Sequence, residues 1–278
     1  MTTLGATLVL GATGTTGSRI AARLTAADHR VKAASRRATP VPGAEPVSFD
    51  WYEPALHGAA LSGVDRVYLL PPVGDSDPAG IMLPFLHRAR AAGVRRVVLL
   101  SSSAIPEGGP VVGTVHQALP DLFAEWAVLR PSWFMQNFTG GHAHAVSIRE
   151  EGIVWSATGS GRVGFVDAED IAAVAVRALT DEKAPNTDLV LTGPEALSYD
   201  DVATILTEVT GRAVTHHRLS YEQLSDRLAA LVPAEFAAML AGMDRAIADG
   251  AEDRVTDTVQ RLTGTPPGTF RALVERET

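Results

Sequence analysis

Residues 8–20, LVLGATGTTGSRI, restrict this chain to few folds. Three apolar residues run into Gly11, Gly14 and Gly17, spaced three apart, and a helical pattern follows. Glycines at this spacing permit a tight turn and let a pyrophosphate approach the backbone. The N-terminus of the following helix adds free N–H groups and the positive end of its dipole. Strand before, helix after and a place near the start of the chain favour a dinucleotide-binding turn over a merely structural one. Thr13, Thr15 and Thr16 complete the candidate phosphate cradle.

Downstream, short apolar runs alternate with helical patterns. Strands are expected at Thr7–Leu10, Arg30–Ser35, Pro46–Phe49, Arg66–Leu70, Arg96–Ser101 and Trp126–Leu129. Helices are expected near Gly17–Ala27, Pro54–Leu61, Gly80–Ala92 and Gly113–Phe123. Strands apolar throughout suit a parallel sheet covered on both faces. The predicted fold class is α/β, a Rossmann-like doubly wound parallel sheet with a small C-terminal α/β substrate lobe. We expect one NAD(P)-binding domain over 1–278, with 1–135 mainly the dinucleotide core and 136–278 mainly the lobe, the two interleaved. In the lobe, helices are expected at Phe138–Glu150, Ala168–Thr180, Tyr199–Thr210, Tyr221–Leu231 and Pro233–Ala248. Short strands are expected at Ile153–Ser156, Asp188–Leu191 and Val214–Arg218.

The second strand bears on the choice of cofactor. An NAD enzyme places Asp or Glu at its end, roughly 20 residues past the glycines, to bond the ribose 2′-OH. Here Ser35, Arg36 and Arg37 stand there. Arg36 or Arg37 can grip a 2′-phosphate in a fork and stack on adenine, so NADPH/NADP+ is the expected cofactor. The alternative is two solvated surface arginines.

Composition removes other classes. There is no cysteine, which excludes disulfides and thiol catalysis and fits a cytoplasmic protein. A net charge of −8 argues against non-specific nucleic-acid binding. No apolar run is long enough to span a bilayer, and MTTLGATLVL lacks the basic stretch of a signal peptide. The partner expected is therefore a small-molecule substrate, with no nucleic acid and no membrane; a homodimer is left open. Only two lysines, Lys32 and Lys183, are available to any lysine mechanism.

GATGTTG at 11–17, LLSSS at 99–103, LRPSWFMQNF at 129–138 and GRVGFVDAEDIA at 161–172 together resemble the NmrA-like atypical short-chain dehydrogenase/reductases. Within that group the chain is similar to ergot alkaloid (festuclavine/agroclavine-type) reductases and NADPH:quinone reductases. The resemblance covers nearly the whole chain. It implies that the glycine turn, Arg36 and Asp50 line the adenosine half of the cofactor. Leu70, Pro71 and Pro72 would pass under ribose and pyrophosphate, with Ser101, Ser102 and Ser103 beside the nicotinamide. Pro131 would pass its carboxamide, and Trp133 and Phe134 would begin the substrate wall. The alternative for LRPSWFMQN is a buried lobe junction.

One departure from the family matters. Its usual proton-donating Tyr, with a Lys four residues on, belongs in the helix after the serine strand, and AIPEGGPVVGTVHQALPDLF contains neither. Hydride addition to an ordinary ketone builds charge on oxygen that needs a proton or an oxyanion site. An iminium ion avoids this because it already carries positive charge; a quinone avoids it by spreading the incoming charge over its ring. The expected function is therefore NADPH-dependent hydride delivery to a quinone or cyclic iminium. Alternatives are an NADP-binding redox sensor without turnover, or a non-redox cyclase or isomerase on the same fold.

Remaining candidates carry two readings each. His116 either handles protons or is an exposed helix-start histidine. Ser102 and Ser103 either bond substrate or cap the strand end. Trp133, Phe134, Asn137 and Phe138 either wall a substrate pocket or pack the core. His142 and His144, two apart, would not share a helical face, so no metal site is expected. Asp167 and Asp170 are expected to cap and pack.

Overall fold

The computed structural model describes residues 5–75 and 77–277. The first ten elements are β1 (Ala6–Leu10), α1 (Thr15–Ala26), β2 (Val31–Ser35), β3 (Glu45–Ser48), α2 (Pro54–Leu61), β4 (Val64–Leu69), α3 (Ala79–Ala91), β5 (Arg96–Leu100), α4 (Gly113–Leu122) and β6 (Glu125–Pro131). A 3-10 turn at Met135–Asn137 follows, then α5 (Ala143–Glu151), β7 (Ile153–Ser156), β8 (Arg162–Val163), α6 (Ala168–Thr180), β9 (Thr187–Leu191), β10 (Leu197–Ser198) and α7 (Tyr199–Thr210). The chain ends with β11 (Thr215–Arg218), α8 (Tyr221–Ala229), α9 (Ala234–Ala248), α10 (Thr258–Thr263) and α11 (Phe270–Glu277).

Two compact units share the chain. The first runs to Pro131 and takes back Ala168–Val190; the second comprises Ser132–Asp167 and the chain from Leu191 onward. The first unit carries a seven-stranded sheet in the order β3-β2-β1-β4-β5-β6-β9. Its first six strands pair in parallel, the order of a doubly wound nucleotide fold. β1 and β5 are buried along their whole length, as strands covered on both faces must be. β3 is the sheet edge, where Pro46 costs no ladder hydrogen bond. Arg96 is almost fully buried: it pairs with Glu125 at 2.7 Å and donates to the carbonyls of Ala178, Leu179 and Asp181 at the end of α6. A cation there satisfies carbonyls that the helix leaves open.

The second unit is built on an aromatic core of Phe138, Phe165, Tyr199 and Phe270, packed edge to face. Two small pairings, β7 with β11 and β8 with β10, frame it. The helix expected over Phe138–Glu150 begins at Ala143 instead, because Gly140 and Gly141 interrupt it and His142 serves as its N-cap. Among the described residues no helix is long and apolar enough to cross a membrane.

Candidate functional site

In the first unit every residue expected to hold the cofactor stands at or just beyond the carboxyl end of a parallel strand. In open α/β sheets this edge, at the point where strand order reverses between β1 and β4, is where ligands bind.

The turn after β1 is fixed by two glycines. Gly11 has φ +65°, a left-handed value that side chains rarely adopt, and a Cβ there would stand 2.3 Å from Leu70 Cδ2. A Cβ on Gly17 would stand 2.2 Å from the Gly11 carbonyl oxygen, so only glycine lets α1 start this close to β1. Gly14 is the N-cap of α1; its own N–H donates to the Gly11 carbonyl, and no side chain caps the helix, so the N–H groups that follow it are left for a ligand. Thr13, Gly14 and Thr15 are exposed. Thr16 is buried, and its hydroxyl accepts a hydrogen bond from Tyr68 at 2.8 Å. That side chain ties the turn to β4, which leaves its backbone N–H as the group that can serve a phosphate.

At the end of β2, Ser35 accepts from the Thr39 N–H at 2.9 Å and so shapes the turn carrying Arg36 and Arg37. Both arginines are exposed, and neither makes an ion pair or side-chain hydrogen bond among the described residues. Asp50, beyond β3, accepts from the Tyr52 N–H with Oδ1. Its carbonyl is 2.9 Å from Nε2 of the buried His57. Leu70, Pro71 and Pro72 follow β4 half-buried, with the Leu70 carbonyl accepting from Trp51 Nε1.

After β5, the Ser101 hydroxyl is buried without a hydrogen-bond partner, an unsatisfied group that a bound ligand would relieve. Ser102 Oγ accepts from the Ala104 N–H, as a strand-end cap does. Ser103 is buried, and its N–H donates to the Pro131 carbonyl at 2.9 Å. Arg130, which the sequence reading passed over, clamps this turn: it donates to the carbonyls of Ser102 and Ser103 and pairs with Asp188. Unpaired arginines, an uncapped helix start and an orphan hydroxyl along one sheet edge fit a dinucleotide.

His116 requires a correction. It is neither exposed nor at the sheet edge but 3% accessible within α4, beside Trp126. Val112, Val115 and Leu119 share its buried face, and that apolar spacing was the signal in the sequence. Burial lowers its pKa, against weaker raising by Glu107 and Asp188, and Nδ1 has no partner. The imidazole is held neutral. A group with a depressed folded pKa contributes stability above its unfolded value of 6.5 and loses it as pH falls. His116→Leu should therefore unfold less readily below pH 6 than the parent while leaving the pH profile of turnover unchanged. A displaced rate profile would return proton handling to His116.

The second unit contains a cavity of about 550 Å³. Trp133 and Trp155 supply its aromatic walls, Leu224, Leu228, Leu240 and Met243 its aliphatic ones, and Asn137, His142, His144 and Asp244 its polar points. Of the expected substrate residues, Trp133 and Asn137 lie on this cavity. Phe138 does not: it is 3% accessible in the aromatic core, stacked on His144 at 5.4 Å. Phe134 is half-buried and bridges to Val166. His142 and His144 approach to 4.9 Å between rings because His142 is the cap and lies outside the helical repeat. Burial pushes His144 down to about 3, with His142 and His216 adding to the shift, so its ring is neutral. Asp167 is buried and held by Gln136 and Arg276, each at 2.8 Å.

A family model described as NAD(P)H-binding matches residues 11–182, and the NmrA-like family model matches 118–263. The chain is 48% identical over 261 residues to the uncharacterized oxidoreductase YesF of Bacillus subtilis, covering 94% of this chain and 91% of the relative. It is 39% identical over 277 residues to agroclavine dehydrogenase of Claviceps fusiformis, covering 96% and 95%. Its fold is similar to the NADPH complex of the Escherichia coli quinone oxidoreductase QOR2, with a TM-score of 0.81 at 24% identity over 97% and 99% of the two chains. These likenesses show that the chain belongs to the NmrA-like family and is an NAD(P)H-dependent oxidoreductase.

Proposed function

We propose that the protein is an NADPH-dependent reductase of an activated electrophile, a quinone or a cyclic iminium ion. The observation carrying the reading is the make-up of α4 and the turn before it. No Tyr or Lys lies between Ala104 and Phe123, and the one histidine there is buried and neutral. The chain thus offers an electrophile little help with a proton at this position, which suits acceptors that need none at the moment of hydride arrival.

The bound nicotinamide supplies the hydride. The chain's own residues bind and orient. The Gly14 N–H is taken by the Gly11 carbonyl at 2.8 Å, so N–H groups of Thr15, Thr16 and Gly17 at the start of α1 would hold the pyrophosphate. Arg36 and Arg37 would hold the 2′-phosphate. Asp50 Oδ2, not used in the turn, is available to the adenine amine. The orphan Ser101 hydroxyl would find a partner on the cofactor, and the Ser102 O–H is available to donate to it or to the acceptor. Trp133 and Asn137, on an apolar cavity of a size usual for small ligands, would take the acceptor and exclude water. The likeness to an agroclavine dehydrogenase supports a nicotinamide-linked redox reaction.

The test is consumption of NADPH, with NADH alongside, against a panel of quinones and cyclic iminium ions. Turnover with NADPH preferred is expected. No turnover across the panel would overturn the reading and favour an NADP-binding sensor or a non-redox reaction.

A further inference from the structure

The cavity of the second unit holds a carboxylate that its surroundings do not explain. Asp244 lies on α9 at the third position after Ala241 and before Ile247, both buried, so it occupies a core-facing place in the helix. Its Oδ2 accepts from the Ala157 N–H at 2.8 Å, and among the described residues no cation pairs with it. Around it the cavity wall is mainly apolar. A carboxylate in such a wall costs free energy unless something positive or hydrogen-bonding meets it.

The other charges nearby do not fill that role. Arg227 of α8 lies 4.5 Å above the Trp155 ring and pairs with Glu151 at 3.5 Å, so its charge is used at the rim. Glu150, beside it on α5, adds negative charge. His142 and His144 are held neutral by burial. His216 of β11 is turned to Asp200 of α7, and Arg162 of β8 is paired with Asp201. On α9 itself, Arg245 lies over the Tyr221 ring. Behind the wall the Tyr199 hydroxyl is fully buried without a partner, and the charge of Asp244 adds to the burial that suppresses its ionisation. The cavity therefore combines tryptophan side chains with net negative charge, which suits a flat cation and disfavours an acceptor that becomes an anion.

Resting on the reading of the chain as a reductase of an activated electrophile, we propose that Asp244 is the counter-charge for a planar, cationic acceptor, and so the residue that selects iminium ions over quinones. Desolvation holds the Asp244 carboxyl up at about 6. A cation would draw it to the carboxylate, so binding near pH 6 should release a fraction of a proton, and binding at pH 8 almost none.

Two measurements test this on the full chain loaded with NADP+, which cannot reduce the ligand. The first is calorimetric titration of N-methyl-3,4-dihydroisoquinolinium and of 1,4-naphthoquinone into the parent and into Asp244→Asn, whose amide oxygen can still accept from Ala157. The cation should lose about tenfold or more in affinity, the quinone less than twofold, and NADP+ nothing. Unchanged cation affinity, or equal losses for both ligands, overturns the proposal. The second needs no variant: titrating the cation at pH 6 in buffers of different ionisation enthalpy should show proton release that vanishes at pH 8 and is absent with the quinone. No release at pH 6 overturns the proposal even if Asp244→Asn fails to fold. Neither result touches the reductase reading, which stands or falls on NADPH turnover.

Discussion

Gly17→Ala is expected to lower the melting temperature by about 6–12 °C and to remove the further stabilisation that NADP+ gives the parent. The reason is steric and local. The added Cβ would meet the Gly11 carbonyl oxygen at 2.2 Å and its carbon at 2.7 Å, and both are backbone. A flexible side chain could turn away, whereas backbone must move as a piece. Moving it separates α1 from β1 or distorts a turn whose first residue already sits at φ +65°. Overpacking costs about 1–3 kcal/mol, and a clash against backbone falls at the upper end. The same displacement re-aims the N–H groups at the start of α1, so stability and nucleotide binding should fall together. Gly14→Ala is the matched control. Its Cβ would meet only the Gly11 oxygen, at 3.3 Å, on an exposed residue with extended backbone. Scanning fluorimetry of both variants with and without NADP+ checks the argument. A Gly17→Ala protein as stable as Gly14→Ala would mean that the β1–α1 contact does not govern the turn.

Those three glycines also explain why so much of the first unit was legible. Each βα junction there combines an apolar strand with turn residues, and a parallel sheet demands the alternation that periodicity reveals. The doubly wound fold class followed once the turn after β1 was identified. The second unit was read less well because its elements are short or broken. β8 and β10 are two residues each, too short to carry any period. α10 and α11 lie beyond Ala248, where no element was expected. Candidate cofactor residues could be named because the sheet edge collects whatever follows each strand. The substrate side was not, since Trp133 and Phe138 look alike as sequence while only one faces the cavity. Asp244 left a signal that was missed: an acid three residues from Ala241 and from Ile247, on the apolar stripe of its helix.

Replacing Arg36 and Arg37 together by Ala should raise the Kd for NADPH by roughly 100-fold and that for NADH by less than about threefold. A hydrogen bond to a charged group contributes about 1.5–3 kcal/mol, and the exposure of both arginines places each toward the lower end. Their lack of any partner among the described residues matters as much as their charge. A guanidinium released from an internal ion pair would leave an unmet carboxylate behind and confuse the result. Among the described residues none loses a partner, so the fold should be unaffected and the melting temperature without nucleotide should stay within about 1 °C. The turn itself is held by Ser35 and the Thr39 N–H, which the substitutions leave in place. Since the contact is exposed, NADPH affinity of the parent should fall steeply with ionic strength, and that of the double variant far less. Arg36→Lys separates charge from geometry: it keeps the charge but loses the fork that meets a phosphate with two parallel N–H bonds, so a partial loss is expected. Equal weakening of NADPH and NADH in the double variant would remove the 2′-phosphate from this turn. The two arginines would then be solvated surface groups, and the preference for NADPH would have to arise at another strand end.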